Sequence, residues 1–200
     1  MERTVRNLVL WSATAALCCL GAFAQTGSTS ASSSSAAGQS SAKLTTSERT
    51  FVKKAAEGGL AEVEFGKLAA ERASSEDVKQ FGQRMVDDHT KANDQLKELA
   101  SEEGITLPDK LDAKDAASKA RLEKLSGEQF DHAYMLDMVR DHTKDVTEFR
   151  TETKTAKDPA VKNFASQTLP TLEDHLKQAK SIESHTAHAT RKAKSKATGI

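Results

Sequence analysis

Cysteine is almost absent from this sequence of 200 residues, which contains only Cys18 and Cys19. Both lie near the N-terminus, so the rest of the chain has no thiolate for nucleophilic catalysis or metal binding and no disulfide. Aromatic residues are also scarce, at 4% of the chain with one Trp and one Tyr, and there are three prolines. This composition argues against an all-β sandwich, whereas a hydrophobic content of 37% is sufficient for a helical core.

An excess of one charge sign is missing as well, because 29 basic residues balance 29 acidic residues. Without a basic excess, we expect no nucleic-acid partner. The sequence also lacks a Gly-rich phosphate-binding loop and a Ser-His-Asp arrangement on loops. It therefore gives little support for an enzyme such as a hydrolase.

Residues 1–24 have the pattern of a signal peptide. Arg3 and Arg6 make the start positive, an apolar run follows over residues 8–20, and Ala22-Phe23-Ala24 is an A-x-A cleavage pattern. The sequence therefore predicts an exported protein, periplasmic or associated with the outer membrane, that is cleaved after Ala24. An uncleaved signal that remains as an anchor is the alternative.

The segments on either side of the central region are poor in large apolar residues. Residues 25–46 are rich in Ser, Ala and Gly and are predicted to form a flexible linker. Residues 186–200 include Arg191 and three lysines but no acid, which predicts a disordered basic tail. Such a tail is either solvated or in contact with an anionic surface of the cell envelope.

Residues 47–185 between them contain four long segments with the periodicity of amphipathic helices. Their predicted bounds are about 47–73, 75–103, 126–156 and 159–185. Start signals support these bounds: Thr45-x-x-Glu48 and Ser126-x-x-Gln129 predict capping boxes, and Asp158-Pro159 predicts an N-cap followed by the first turn.

The lengths of the connections predict how the helices are arranged. Short links join the first helix to the second and the third to the fourth, whereas the link over residues 104–125 is long and is predicted to contain a short helix. The sequence therefore predicts an all-α, ferritin-like four-helix bundle, with two antiparallel hairpins joined by a long crossover that contains a short helix.

The tetrapeptide Asp-His-x-Lys occurs three times, with its histidine at His89, His142 and His175. Counting about 100° per residue places each of these histidines, and Glu62 of the first helix, on a core-facing stripe near the middle of its helix. We therefore expect one carboxylate and three imidazoles in a single buried layer. Such a set suits one divalent transition metal, with Zn, Mn, Fe and Cu as candidates.

A metal-free interpretation of the same layer remains open. A buried histidine can be satisfied by a hydrogen bond to Glu62, to Thr168 or to water, with no ion present. Asp131 also faces inward, but about 16 Å from His142 along the helix, so we predict a structural buried role for it. We expect its partner to be a basic residue of the crossover, such as Arg121 or Lys124.

Five segments together resemble one family of exported bacterial proteins: Ala61-Glu62-Val63-Glu64-Phe65-Gly66-Lys67-Leu68-Ala69, Met85-Val86-x-Asp88-His89, Phe130-Asp131-x-x-Tyr134, Asp141-His142 and Leu169-Pro170-x-Leu172-x-x-His175-Leu176. The sequence is similar to the DUF4142 family, whose members are often labelled as outer-membrane proteins. The resemblance covers about residues 47–185 and implies a ferritin-like fold. It implies no reaction, because the role of the family is not established.

The histidine positions differ from those of the di-iron carboxylate proteins with related folds. Those proteins use a Glu-x-x-His pair on two helices and a further Glu on each of the other two. Here Val86 and Leu172 stand three residues before His89 and His175, and His142 stands where a Glu is expected. With only one inward carboxylate, a mononuclear site or no metal is more consistent with the sequence than ferroxidase or oxygen-activating di-iron chemistry.

Overall fold

The computed structural model describes residues 43–198, and the side chains of residues 43–188. This part of the chain contains no strand and has five helices: α1 Thr46–Arg72, α2 Glu76–Glu102, α3 Ala113–Leu122, α4 Gly127–Thr155 and α5 Pro159–Thr198. The predicted signal peptide (1–24) and most of the predicted linker (25–42) lie outside the described residues. None of the helices within residues 43–198 has the length and apolar character to span a membrane.

The long helices form two hairpins, α1 with α2 and α4 with α5. Glu48, at the start of α1, accepts hydrogen bonds from the backbone N–H groups of residues 157–158, which follow α4. Asp131, at the start of α4, accepts from the backbone of residues 74–75, which follow α1. Helices α1 and α4 are therefore antiparallel, and α2 and α4 run in the same direction.

This direction requires the connection between α2 and α4 to travel the length of the bundle. It includes the short helix α3, whose last residue, Leu122, is fully buried. The predicted fold is confirmed: the protein is an all-α four-helix bundle of two antiparallel hairpins with a long crossover that contains a short helix.

The helix starts agree with the predicted caps at two of three positions. Thr45 and Glu48 form a complete capping box, and Asp158 accepts from the N–H groups of residues 160–161. The third prediction was wrong, because the side chain of N-cap residue Ser126 makes no capping hydrogen bond. Gly127 follows it with a φ of 57°, and a left-handed residue interrupts the backbone geometry that a capping box requires.

Both ends of the ordered fold extend beyond the predicted bounds. Helix α5 continues to Thr198, where a disordered tail was expected from residue 186. The reason is propensity, because Ala, Lys and Arg dominate this stretch and no Gly or Pro occurs before Gly199. At the other end Leu44 is buried in the core, so the predicted linker over residues 25–46 ends before that residue.

The core consists of two apolar clusters separated by a polar layer. One cluster includes Leu44, Phe51, Leu96, Phe149 and Phe164, and the other includes Phe65, Phe81, Met85, Phe130 and Tyr134. Glu62, His89, His142 and His175 fall between the two sets along each long helix and are themselves buried. Burying one large apolar side chain contributes about 1.5–3 kcal/mol to the free energy of unfolding. The two clusters therefore offset the cost of burying the polar layer between them.

Close approach of α1 and α2 occurs directly beside this layer. A Cβ atom on Gly66 would lie 2.6 Å from the carbonyl oxygen of Gly82. Only glycine permits that separation, which is shorter than any ordinary Cβ contact. Since Gly66 is four residues after Glu62, this crossing fixes the distance between α1 and α2 at the level of the polar side chains.

Candidate metal centre

Three imidazole rings meet at the centre of the bundle, one each from α2, α4 and α5. His142 and His175 are 0% exposed and His89 is 7% exposed. The ring centroids are 5.7 Å apart for His89 and His142, 5.5 Å for His89 and His175, and 5.2 Å for His142 and His175. One potential ligand atom from each ring lies within 4.8 Å of the others.

Helical spacing produces this meeting point. Apolar core residues precede and follow each histidine on its own helix, so the ring must face inward with them. The three histidines also lie near mid-helix, which brings them to one level although the helices differ in direction. Phe81 covers two of the rings, at centroid distances of 6.4 Å from His142 and 6.3 Å from His175, and so separates the centre from solvent on that side.

The hydrogen bonds of two rings fix where their protons are. Nδ1 of His142 lies 3.0 Å from the carbonyl oxygen of Met138, which only accepts, so Nδ1–H donates and Nε2 is bare. Nε2 of His175 lies 2.8 Å from Oδ2 of Asp88, a carboxylate oxygen, so Nε2–H donates. In neutral His175 the other nitrogen, Nδ1, is then bare as well. These two bare nitrogens face each other at 3.3 Å.

Burial keeps the rings neutral. It lowers the pKa of His142 to about 3, with a further contribution from neighbouring His175. It also lowers the pKa of His89 well below the ordinary value, with help from the other two rings. The pKa of His175 is lowered by burial too, although its hydrogen bond to Asp88 acts in the opposite sense. Neutral imidazole is the form that binds metal ions.

Glu62 lies beside the three rings but outside the group. Its Oε1 is 3.7 Å from Nδ1 of His142, on the side of the ring that is bonded to Met138 rather than on the side that faces His175. Its Oε2 is buried and has no hydrogen-bond partner among the described residues, and the same is true of Nε2 of His89. Burial raises the pKa of Glu62 well above its ordinary value, and nearby Asp145 and Asp141 add to the shift.

Asp88 links the centre to the surface of the bundle. Besides accepting from His175, it accepts from Nε of Arg84 at 3.2 Å. Arg84 also donates to the side chain of Gln178 on α5 at 3.0 Å, which ties α2 to α5. In the structure Asp88 is the acceptor that orients His175, as carboxylates that accept the N–H of a metal-binding histidine do in metal sites.

Asp131, the predicted structural residue, is 2% exposed and lies at the end of the bundle. It accepts from Ser74 N at 2.9 Å, Ser74 Oγ at 2.5 Å and Ser75 N at 2.8 Å. The expected pairing with Arg121 or Lys124 was therefore wrong, because the free N–H groups at the start of α2 lie nearer to this carboxylate.

Arg121 pairs instead with Asp137, a buried carboxylate that sequence reasoning missed. Arg140, one turn further along α4, also donates to Asp137, at 2.9 Å. The only signal in the sequence was the spacing of three residues between Asp137 and Arg140, which is common on exposed helix faces and does not indicate burial.

A cavity of about 240 Å³ extends from the centre towards the crossover. Glu62 and His89 line its inner part. Asp115 of α3, which is part of the crossover, and Asp145 of α4 line it as well. Burial raises the pKa of Asp145 to about 7.

The residues present fit a divalent first-row transition metal. In a tetrahedral site with metal–nitrogen distances of about 2.0–2.1 Å, two nitrogen ligands are about 3.3–3.4 Å apart. The bare nitrogens of His142 and His175 have that spacing, at 3.3 Å. His89 supplies the third donor of the group, within 4.8 Å of the other two, and its buried Nε2 has no hydrogen-bond partner among the described residues. Three imidazoles leave a fourth coordination position for water or another ligand.

The sequence matches one family model, and the fold is similar to that of solved structures. The family model described as a domain of unknown function, DUF4142, matches residues 33–182. The crystal structure of a DUF305 fragment from Deinococcus radiodurans is similar with a TM-score of 0.64 and 17% sequence identity, over 72% of this chain and 99% of that chain. The dodecameric thioferritin of Bacteroides fragilis, a bacterioferritin-related protein, is similar with a TM-score of 0.52 and 16% identity, over 75% and 92% of the two chains.

No curated protein matches the sequence. At such low identities the structural similarity shows the fold alone. The fold is a ferritin-like helical bundle, as the sequence predicted.

Proposed function

The chain belongs to the DUF4142 family, whose function is unknown, and from this premise we propose that it binds one divalent transition-metal ion at the centre of its ferritin-like bundle. His89, His142 and His175 are the proposed ligands, with Glu62 beside them. The group offers three neutral nitrogen donors and is shielded by apolar clusters on both sides.

The observation that carries this proposal is the pair of bare nitrogens of His142 and His175 at 3.3 Å. Two lone pairs at that distance repel each other unless a proton or a cation lies between them. A metal ion accepts both lone pairs at once and leaves the hydrogen bonds to Met138 and Asp88 intact. Those bonds then hold the two rings in the orientation that coordination requires.

The donor set limits which ion and which role are reasonable. Imidazole nitrogen suits Zn, Cu and Fe, and Mn remains a candidate where the carboxylate of Glu62 takes part. One site in each chain is too few for mineral storage, so we propose buffering or sensing of the ion. Oxygen activation by two irons is not proposed, because the group contains no carboxylate to bridge them.

The location of the protein is a further part of the proposal. We place it in the bacterial cell envelope, because residues 1–24 have the pattern of a signal peptide. The basic segment over residues 186–200 would then contact an anionic envelope surface. Fractionation of cells that express the full chain, or the chain without residues 191–200, tests this. Equal membrane association of both would contradict the role of the basic segment.

Equilibrium titration with Zn²⁺ and Co²⁺ tests the metal site itself. The purified protein should bind one ion per chain, and a His89→Gln/His142→Gln variant should lose binding. The matched control is His185→Ala/His188→Ala, which removes two exposed histidines from the same bundle. Circular dichroism shows whether each variant remains helical.

Two results would contradict the proposal. One is binding that is the same in the wild type and in the His89→Gln/His142→Gln variant. The other is binding that disappears in the His185→Ala/His188→Ala control, which would assign the ion to the surface of α5.

A metal-free structural module is the second candidate, and the continuous chain from Met138 through His142 and His175 to Asp88 favours it. If His175 carries both protons, Nδ1–H donates to His142 and every bond in that chain is satisfied. Nuclear magnetic resonance of the imidazole nitrogens at neutral pH separates the two. A doubly protonated His175 in metal-treated protein supports the structural module, whereas a neutral ring with a metal-shifted Nδ1 supports the metal site.

A further inference from the structure

The cavity beside α1 reaches three of the buried polar groups that the described residues leave unpartnered, and the side-chain oxygen of Asn93 is one of them. Oε2 of Glu62 and Nε2 of His89 have no hydrogen-bond partner there, and both residues line the cavity. Glu62 is 3% exposed and His89 is 7% exposed. Polar atoms this deeply buried need a hydrogen-bond or coordination partner. The inner end of the cavity is therefore suited to bind a polar ligand, a water molecule or an ion.

The remaining lining is mixed, with apolar residues such as Phe65 and Leu96, and carboxylates outnumber lysines among its charged residues. It includes Asp115 at the start of α3 and Asp141, Asp145 and Glu148 along α4. The side chain of Asp115 is 19% exposed and that of Asp141 is 24% exposed, so these carboxylates lie partly within the protein.

The lysines of the same lining lie further out. The side chains of Lys114 and Lys144 are 70% and 62% exposed, which places their ammonium groups in solvent. Lys114 still lies 3.8 Å from Asp115, and Arg140 pairs with Asp141 at 3.1 Å, but carboxylates outnumber lysines in the lining, so the cavity keeps a net negative charge. A concave surface with carboxylates on low-dielectric walls concentrates cations and increases the rate at which they associate.

Resting on the proposed function, we propose that this cavity is the path by which a divalent cation reaches the three histidines. In their ionised forms Asp115, Asp141 and Asp145 attract the hydrated ion at the outer part of the path. The attraction is therefore strongest above about pH 7, the value to which burial raises the pKa of Asp145. Glu62 is the inner carboxylate, and it receives the ion beside His89. This gives Glu62 a role in delivery, which agrees with its place next to the histidine group but outside it.

The structure offers a direct way to obstruct this path. Gly58 lines the cavity, and a Cβ atom on Gly58 would meet nothing within 4 Å. A larger side chain there extends into the cavity without a clash at its base, and it removes a glycine from the interior of α1, which favours the helix. Gly58→Leu therefore narrows the path without removing charge, and Gly58→Ala is its small control.

Stopped-flow measurement of Co²⁺ loading into the purified metal-free protein tests the inference. We expect Asp115→Asn/Asp145→Asn to load at least about tenfold more slowly at low ionic strength, with a smaller difference at high salt. The control Asp77→Asn/Asp94→Asn makes the same charge change at exposed positions of α2 and should load within about twofold of the wild type. Gly58→Leu should load more slowly than Gly58→Ala at every ionic strength and reach the same final stoichiometry.

The outcomes separate the two proposals. If the wild type binds Co²⁺ at the histidines, but the charge variant and Gly58→Leu load as fast as their controls, the path is wrong and the metal site stands. If only one of the two variants slows loading, the cavity route is still overturned, since charge and space must both matter. If the wild type binds no Co²⁺, the proposed metal site is wrong, and the proposed path is overturned with it.

Discussion

Nε2 of His142 faces Nδ1 of His175 at 3.3 Å, and in the neutral rings neither nitrogen carries a proton. The backbone oxygen of Met138 and the carboxylate of Asp88 determine this, because each accepts the proton of one ring on its far side. These two acceptors therefore set the orientation of the rings, and the lone pairs of the two rings point at the same small volume. A third ring, that of His89, borders that volume.

Replacing the carboxylate that orients His175 should weaken metal binding. We expect Asp88→Asn to lower the affinity for Zn²⁺ or Co²⁺ by about tenfold or more, because an amide is a weaker acceptor for the Nε2 proton. Asp174→Asn is the control, since Asp174 contacts the same Arg84 but its side chain is 69% exposed. Competition titration with a chromophoric chelator measures both. Equal affinity of the two variants would remove Asp88 from the site.

The buried imidazoles should make stability depend on pH. The pKa of folded His142 is lowered to about 3, so as the pH falls below the ordinary value of 6.5 the unfolded chain takes up a proton that the folded chain refuses. In the presence of a chelator, stability is therefore lost progressively from about pH 6.5 towards pH 3. Raised pKa values make Glu62 and Asp145 act in the opposite sense, since they favour the folded state at low pH.

Comparison with His142→Gln isolates the imidazole from these carboxyl groups. Between pH 6.5 and 5 the wild type should lose about 1–2 kcal/mol more of its unfolding free energy than the variant does. Urea denaturation at several pH values gives this difference. Parallel curves for the two proteins would mean that His142 is not held neutral by the fold.

Glu48 should contribute to acid stability at the other end of the bundle. Burial alone would raise its pKa, but hydrogen bonds from Thr45, Lys157 and Asp158 outweigh it and lower the pKa to about 2. The stability that Glu48 provides is thus complete above about pH 4.5 and lost as the pH falls towards 2. Glu48→Gln should lower the unfolding free energy at pH 7 by about 1–3 kcal/mol and flatten its pH dependence in that range. The exposed Glu98→Gln should do neither.

The glycines of α1 should respond to alanine in opposite directions. Gly66→Ala places a methyl group 2.6 Å from the backbone oxygen of Gly82, which cannot turn away, so we expect a loss of about 1–3 kcal/mol. Gly58→Ala meets nothing within 4 Å and should gain about 0.5–1 kcal/mol through helix propensity. Thermal unfolding of the two variants measures this. Destabilisation of the same size in both would show that α1 and α2 do not cross at Gly66.

The architecture was predictable because it depends on signals within single helices. Apolar periodicity defined the inner stripes, and the capping box at Thr45 located the start of α1. The predicted end of the second helix at residue 103 agrees with α2, which is followed by Gly104 with a φ of 61°. The mid-bundle level of His89, His142 and His175 followed from counting residues along each helix. Such counting works because helix rise and rotation are nearly constant.

Contacts between distant segments were not predictable in the same way. The partner of Asp131 depends on which chain end lies beside the start of α4, and the role of Asp88 depends on how α2 is rotated towards α5. A rotation of a few tens of degrees would separate Asp88 from His175 without changing any stripe. The place of Glu62 beside Nδ1 of His142, outside the histidine group, likewise depends on how α1 packs against its neighbours, which no pattern within one helix specifies.

The most direct test of the metal site is an anomalous difference map from crystals of the protein with zinc, collected at the zinc absorption edge. We expect one strong peak per chain, within about 2.0–2.2 Å of a ring nitrogen of each of His89, His142 and His175. Peaks confined to surface carboxylates, with none among the three rings, would contradict this expectation.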